Sequence, residues 1–192
     1  MLCVDYCRVI LVGIVKSWGG VSGPDQRVRA VHWPDALRLT RSTMLAVGNL
    51  RSYGDVCLAS SGDNLCMTRL DRVLDFDELR GTIRCDAGIS LAEISKIVIP
   101  QGWRLPVLPG TERVTLGGAI ANDVHGKNHH RLGTFGQHVR SLRLQRTSGE
   151  VISCSSSENI ELWQATIAGL GLTGIILDAT VALVPATAGY LD

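Results

Sequence analysis

Three glycine-rich segments carry the residue types that a phosphate-bearing ligand needs. The first is Gly48-Asn49-Leu50-Arg51-Ser52-Tyr53-Gly54-Asp55, set directly after the apolar run Met44 to Val47. Gly48, Ser52 and Gly54 are small enough for backbone amides to converge on one concavity, a nest suited to phosphate oxygens. The second is Pro109-Gly110-Thr111, followed by Thr115-Leu116-Gly117-Gly118-Ala119-Ile120-Ala121. A Thr ahead of two Gly and small apolar residues predicts a helix that opens with free N–H groups, an end that attracts anions. The third is His125-Gly126-Lys127-Asn128-His129-His130, with Gly133, Phe135 and Gly136 behind it. Singly, each has a plainer reading: Arg51 and Asp55 as a surface ion pair, Gly117-Gly118 as close packing, Lys127 as a solvated loop tip. Jointly they read as a dinucleotide site built without a Rossmann motif.

Other chemistries fit the spacing less well. Gly169-Leu170-Gly171-Leu172-Thr173-Gly174 matches GxGxxG. That fingerprint needs strand, glycines and helix in that order, so that a pyrophosphate meets a helix N-terminus. Here the order is helix, glycines, strand, and the acidic residue due about 20 positions on would be Asp192. The segment therefore reads as a tight helix-to-strand turn whose backbone can touch a ligand. His125 and His129 stand at i and i+4, a zinc-like spacing. No Glu follows His125 and Gly126 weakens a helix there, so neither the HExxH pattern nor a metal site is expected. A Ser–His hydrolase lacks its GxSxG turn. The six cysteines (Cys3, Cys7, Cys57, Cys66, Cys85, Cys154) include no CxxC and are too sparse for a disulfide scaffold, so reduced thiols are expected.

Composition bounds the partners. The 192 residues are 45% hydrophobic and 19% charged, a folded chain of one domain or two small lobes. A net charge of +1 supplies no field for nucleic acid. The apolar run Val9 to Val15 is too short to span a bilayer. It also lacks the basic flank and cleavage site of a signal peptide, which points to a cytoplasmic protein with no transmembrane segment. The run is either a mis-assigned start or a strand packed on the body.

The elements that must hold the three segments alternate between β and α. Gln26 to His32, Met44 to Val47, Leu65 to Met67, Val73 to Phe76 and Gly81 to Cys85 read as short strands. Ser90-Leu91-Ala92-Glu93 is a capping box that opens a helix with Leu91, Ile94 and Val98 on one face, stopped by Pro100 and Gly102. Val139 to Thr147 and Val151 to Cys154 flank Ser148-Gly149 as a hairpin. Ser155 with Glu158 forms a second capping box, opening a helix with Ile160, Trp163 and Ile167 on one face and Gly169 past its end. Gly174 to Val184 is a long strand that Pro185 closes. The mixture is α+β.

With these blocks in view, the chain resembles a known family. RSYGD at 51–55, PGT at 109–111, TLGGAIANDVHGKNHH at 115–130, GTFGQHV at 133–139 and GLTGII at 171–176 are similar to the FAD-binding domain of the p-cresol methylhydroxylase / vanillyl-alcohol oxidase superfamily. Within it the likeness is strongest to the decaprenylphosphoryl-β-D-ribose 2′-oxidases and their bacterial relatives. It covers 17–192 as one FAD-binding domain, with 1–16 as an N-terminal extension.

The resemblance implies two α+β lobes with FAD between them. It implies cofactor contacts at Ala46, Val47, Gly48, Asn49, Leu50, Arg51, Ser52, Tyr53, Gly54, Asp55 and Val56. Further contacts are implied at Gly110, at Thr115, Leu116, Gly117 and Gly118, at His125, Gly126, Lys127 and Asn128, and at Ile176. In related sugar and alditol oxidases a His of the first loop bonds covalently to the flavin. Arg51 occupies that place here, so FAD is expected to bind non-covalently. The implied activity is oxidation of an alcohol carbon of a small sugar- or alditol-like substrate, with the flavin as hydride acceptor. Lys127 and His125 are the candidate catalytic residues, placed near the isoalloxazine, where a cation stabilises an anionic reduced flavin or an acidic substrate group. Asn49 and Leu50 stand where the family pattern has more glycine, and are expected to narrow the approach to the pyrophosphate. Family members continue with a substrate-binding cap domain, which the residues up to Asp192 do not contain. The expectation is an FAD-dependent oxidoreductase, either truncated here or completed by a cap domain on a second chain; the alternative is a flavin-binding remnant without turnover.

Overall fold

The computed structural model describes residues 11–32, 44–59 and 63–186. Four strands form the first sheet: β1 (Leu11–Lys16), β2 (Ser22–Ala30), β3 (Met44–Val47) and β4 (Asp63–Cys66), in the order β1-β2-β4-β3. β1 runs antiparallel to β2, whereas β2 and β3 both lie parallel to β4. The apolar run near the N-terminus thus contributes a strand to the body, and β2 spans 22–30 where alternation had suggested 26–32.

The second sheet is antiparallel and larger. It consists of β5 (Val73–Asp77), β6 (Thr82–Asp86), β8 (Val139–Gln145), β9 (Val151–Ser155) and β10 (Ile175–Ala182), in the order β5-β6-β10-β8-β9. Between β6 and β8 in the chain come α1 (Leu91–Val98), β7 (Trp103–Arg104), α2 (Leu116–Ala121) and α3 (His129–Leu132). After β9 comes α4 (Ile160–Thr166), and after β10 comes β11 (Val184–Pro185), which pairs with β7. Pro185 therefore sits in a two-stranded ribbon, where an edge position tolerates its missing N–H. Among the described residues no helix is long and apolar enough to cross a membrane.

The α1 capping box forms as the sequence predicts. Ser90 Oγ accepts the Glu93 N–H and the Glu93 carboxylate accepts the Ser90 N–H. Leu91, Ile94 and Val98 are fully buried, and Gly102 ends the segment with φ +80°. The second box does not form. Ser155 is the last residue of β9, and its N–H donates to the Glu158 carbonyl. Its hydroxyl accepts from Ser157, so the turn leaving the sheet uses the group a cap would need. Asn159 precedes α4 instead, in a left-handed conformation (φ 51°), with its side chain donating to the Ser153 carbonyl.

One large core joins the second sheet to its helices, including Ile83, Leu142, Leu144, Val181, Leu116 and Phe135. A smaller cluster joins the two sheets: Ile175 and Leu177 of β10 pack with Leu65, Met67, Leu70 and Val31. Gly88 crosses at this junction, because a Cβ there would overlap the Met67 carbonyl. Asp178 lies on β10, 1% exposed, between Arg84 and Arg143 of the flanking strands. Asp86, opposite Asp178 in register, is held by Arg72 at 2.7 Å. Buried carboxylates persist in a sheet only with such partners. The described cysteines, Cys57, Cys66, Cys85 and Cys154, are buried free thiols; Cys3 and Cys7 lie outside the described residues.

Candidate cofactor site

A cleft of about 530 Å³ is lined from both sheets. One wall is the end of β3 and the loop after it. A second is the Pro109-Gly110-Thr111 turn with the start of α2. The third is Leu170, Gly171, Gly174 and Ile176. A second hollow of about 720 Å³ shares Pro109 and Gly110 with the first and holds His125, Gly126, Lys127 and Asn128. Pro109 and Gly110 lie on the lining of both hollows.

Most residues singled out from the sequence line one of these two hollows. Residues 46–53, Val56, Gly110, Thr115, Gly117, Gly118 and Ile176 line the first hollow. Gly54 and Asp55 do not line it; they are exposed in the turn beyond Tyr53. Leu116 turns inward instead, 1% exposed, as part of the large core. Sequence reasoning missed Trp18, Cys57, Met67 and Ala87, which also line the first hollow. No spacing signal ties Trp18 to a loop that begins thirty positions later.

The glycines act through close approach. A Cβ on Gly48 would overlap Thr115 Oγ1 and come within 2.9 Å of its Cγ2. A Cβ on Gly117 would sit 3.0 Å from the Ala87 Cβ, and one on Gly126 would sit 2.5 Å from the Leu108 carbonyl oxygen. Asn49 crosses the cleft to donate to the Arg113 carbonyl at 2.8 Å, which ties two walls together. Leu50 adopts φ 53°, a left-handed conformation that glycine takes without strain.

The expected free amides at the start of α2 are not there. Leu116 N–H donates to the Ile89 carbonyl, Gly117 N–H to the Ala87 carbonyl, and Gly118 N–H to Thr115 Oγ1. The helix start is thus satisfied by the loop after β6, and its glycines let those chains touch. The open donors belong to the first loop. Among the described residues no protein acceptor takes the N–H of Leu50, Arg51 or Ser52. Arg51 Nε is buried and has no partner either. Its guanidinium lies over the Trp18 ring, 4.5 Å from the centroid. Burial raises the Cys57 thiol above its ordinary pKa, with the Asp55 charge adding to the shift.

The GxGxxG turn braces α2. Ala168 N–H donates to the Ile120 carbonyl and Leu170 N–H to the Ala121 carbonyl, so the turn satisfies the last carbonyls of the helix. Ala168 (φ 59°) and Leu170 (φ 52°) hold left-handed conformations to do so. No helix follows these glycines, and the strand β10 does, as the order of elements predicts.

The histidines are not arranged as helical ligands. His125 bridges to Thr134 in extended backbone, while His129 opens α3 with Nδ1 3.2 Å from the Gly126 carbonyl. The rings meet edge to face at 5.7 Å between centroids. Among the described residues no group of three or more His, Cys, Asp or Glu could hold a metal ion. Lys127 and His125 are both exposed on the second hollow, where Asn128 is pinned by donating to the Pro106 carbonyl at 2.9 Å.

This arrangement fits a dinucleotide: loop amides that, among the described residues, no protein acceptor takes, and a wall in which side chains have been removed. Comparison with known proteins agrees. A family model described as an FAD-binding domain matches residues 32–155. Decaprenylphosphoryl-beta-D-ribose oxidase of Mycolicibacterium smegmatis is 42% identical over 177 residues, 92% of this chain and 38% of that protein. L-gulonolactone oxidase of Mus musculus is 33% identical over 141 residues, 72% of this chain and 31% of that protein. D-arabinono-1,4-lactone oxidase of Candida glabrata is 25% identical over 185 residues, 90% of this chain and 35% of that protein. The chain thus spans well under half the length of these relatives. A cleft lined from both sheets, a glycine-lined wall and these likenesses point one way: the chain belongs to the FAD-binding domain family of the p-cresol methylhydroxylase type.

Proposed function

We propose that this chain is the FAD-binding part of an oxidoreductase acting on an alcohol carbon of a sugar-like small molecule. The observation that carries the reading is the cleft in which, among the described residues, the Leu50 to Ser52 amides have no protein acceptor, across from the wall that holds Gly117 and Gly118. Donors of this kind are stable when an anion completes them. Residues 46–53, Val56, Gly110, Thr115 and Ile176 would hold the cofactor, and Gly54 and Asp55 would shape the turn that ends the loop.

Bound FAD supplies a two-electron acceptor, which no side chain can replace. The chain's own residues bind, orient and polarise. Lys127 places an ammonium group, and His125 an imidazole, at the second hollow beyond the Pro109-Gly110 turn. There a cation favours negative charge that develops on a reduced ring or on an acidic substrate group. Arg51 cannot form a covalent bond to a flavin ring, so the cofactor is held by contacts alone. The sugar-like substrate class is taken from the names of the relatives, which include a ribose oxidase and two lactone oxidases.

The test is an absorbance spectrum of the purified chain, with added FAD if it emerges colourless, before and after acid precipitation. A flavin spectrum that passes to the supernatant supports FAD held without a covalent bond. Flavin that stays with the precipitate refutes the non-covalent reading. A chain that takes up no FAD at all refutes the cofactor assignment.

A further inference from the structure

Trp18 stands on the tip of the β1–β2 hairpin. Gly20 N–H donates to the Ser17 carbonyl and Ser17 N–H to the Val21 carbonyl, both at 3.0 Å, with Gly20 at φ +80°. These bonds fix the backbone beneath an indole that is 55% exposed. The ring is not there to fill a core. Its face meets the Arg51 guanidinium at 4.5 Å, well inside the range of a cation–π contact. Arg51 itself is half-buried, and its Nε is shut off from water without an acceptor. Both residues line the first hollow.

A guanidinium stacked by one face on an aromatic ring keeps its N–H groups free in its own plane, the arrangement that suits a phosphate. Long arginines lose rotamer freedom when they are held, and the stack makes that loss before a ligand arrives. We propose that Trp18 is a positioning residue for the cofactor: it pre-orients Arg51 towards a phosphate oxygen of the dinucleotide. This rests on the FAD reading above, and it adds a residue from a different sheet segment, 33 positions upstream.

The experiment compares FAD and riboflavin, which has the ring but no phosphate, by flavin fluorescence titration. The proteins are wild type, Trp18→Ala, Trp18→Phe, Arg51→Gln and the Trp18→Ala/Arg51→Gln pair. Trp18→Ala should weaken FAD about tenfold and Trp18→Phe by no more than about twofold, because a phenyl face keeps most of the contact. Riboflavin should bind all five alike. In the Arg51→Gln background, Trp18→Ala should have no further effect. A wild-type chain that binds no FAD would remove the cofactor reading and this inference with it. If wild type binds FAD, three results overturn the inference alone: an unchanged affinity in Trp18→Ala, an equal loss for riboflavin, or a full further loss in the Arg51→Gln background.

Discussion

Gly48→Ala should damage this protein out of proportion to one methyl group. The added Cβ would overlap Thr115 Oγ1 and lie 2.9 Å from Cγ2 and 3.1 Å from Cβ of the same residue. Thr115 is 3% exposed and is the N-cap of α2, with Oγ1 accepting the Gly118 N–H at 3.2 Å. Two responses are open. Thr115 can rotate, which breaks the cap at about 1 kcal/mol and strands a buried hydroxyl at about 1 kcal/mol or more. Otherwise the end of β3 can move, at about 1–3 kcal/mol for overpacking. The cheaper response sets the loss, about 1–3 kcal/mol, or about 2–12 °C in Tm for a chain of this size. Thr115→Ala alone removes the cap and should cost about 1 kcal/mol. In the double variant the overlap has lost its oxygen, so the total should fall about 1 kcal/mol or more below the sum of the singles. Guanidinium unfolding of the four proteins at equal m-value measures this. A Gly48→Ala protein within about 0.5 kcal/mol of wild type, or strict additivity with Thr115→Ala, would refute the close-approach argument.

Asp178→Asn should destabilise by about 3 kcal/mol, the low end for a broken buried pair, because Arg84 (40% exposed) and Arg143 (39%) can turn to water; urea unfolding reads it. Burial, with the Asp86 charge adding, pushes the Cys85 thiol from 9.0 up to about 12. The unfolded chain therefore releases this proton first as pH rises. Stability is complete below pH 9 and then falls by about 1.4 kcal/mol per pH unit per such thiol until the folded value is reached. Cys85→Ala should make that decline shallower in unfolding measured from pH 8 to 11. Leu50→Gly should relieve a left-handed leucine and raise stability by about 1 kcal/mol, seen as a higher Tm of the cofactor-free chain. Lys127→Met should leave Tm within about 2 °C of wild type, since the side chain is exposed, while shifting the reduction potential of bound flavin in a dye-equilibration titration.

Several elements were legible because their signals are local. The Ser90 to Glu93 box, the Gly102 stop and the 145–151 hairpin depend on residues within one or two turns of each other. The Ser155 to Glu158 box has the same letters and failed, because leaving strand β9 required the Ser155 N–H and hydroxyl for a turn. Local chemistry was correct in kind, and a competing local demand won. The α2 amides show the opposite problem. Their acceptors, Ala87 and Ile89, lie more than 25 positions upstream, so no reading of 115–121 by itself could find them.

What the sequence determined alone was the inventory: an α+β chain, three glycine-rich segments, a glycine turn in the wrong order for a Rossmann site, and an arginine in the first loop. Those follow from side-chain size, charge and spacing along the chain. Tertiary structure decided which donors remain open for a ligand and which are already taken. It closed the α2 amides with the loop after β6, left the Leu50 to Ser52 amides without a protein acceptor among the described residues, and laid Arg51 on Trp18 from another strand pair. Hydrogen-bond satisfaction is a property of groups that meet in space, and the strand crossings that bring 18, 51, 87 and 115 together are set by packing across the whole core.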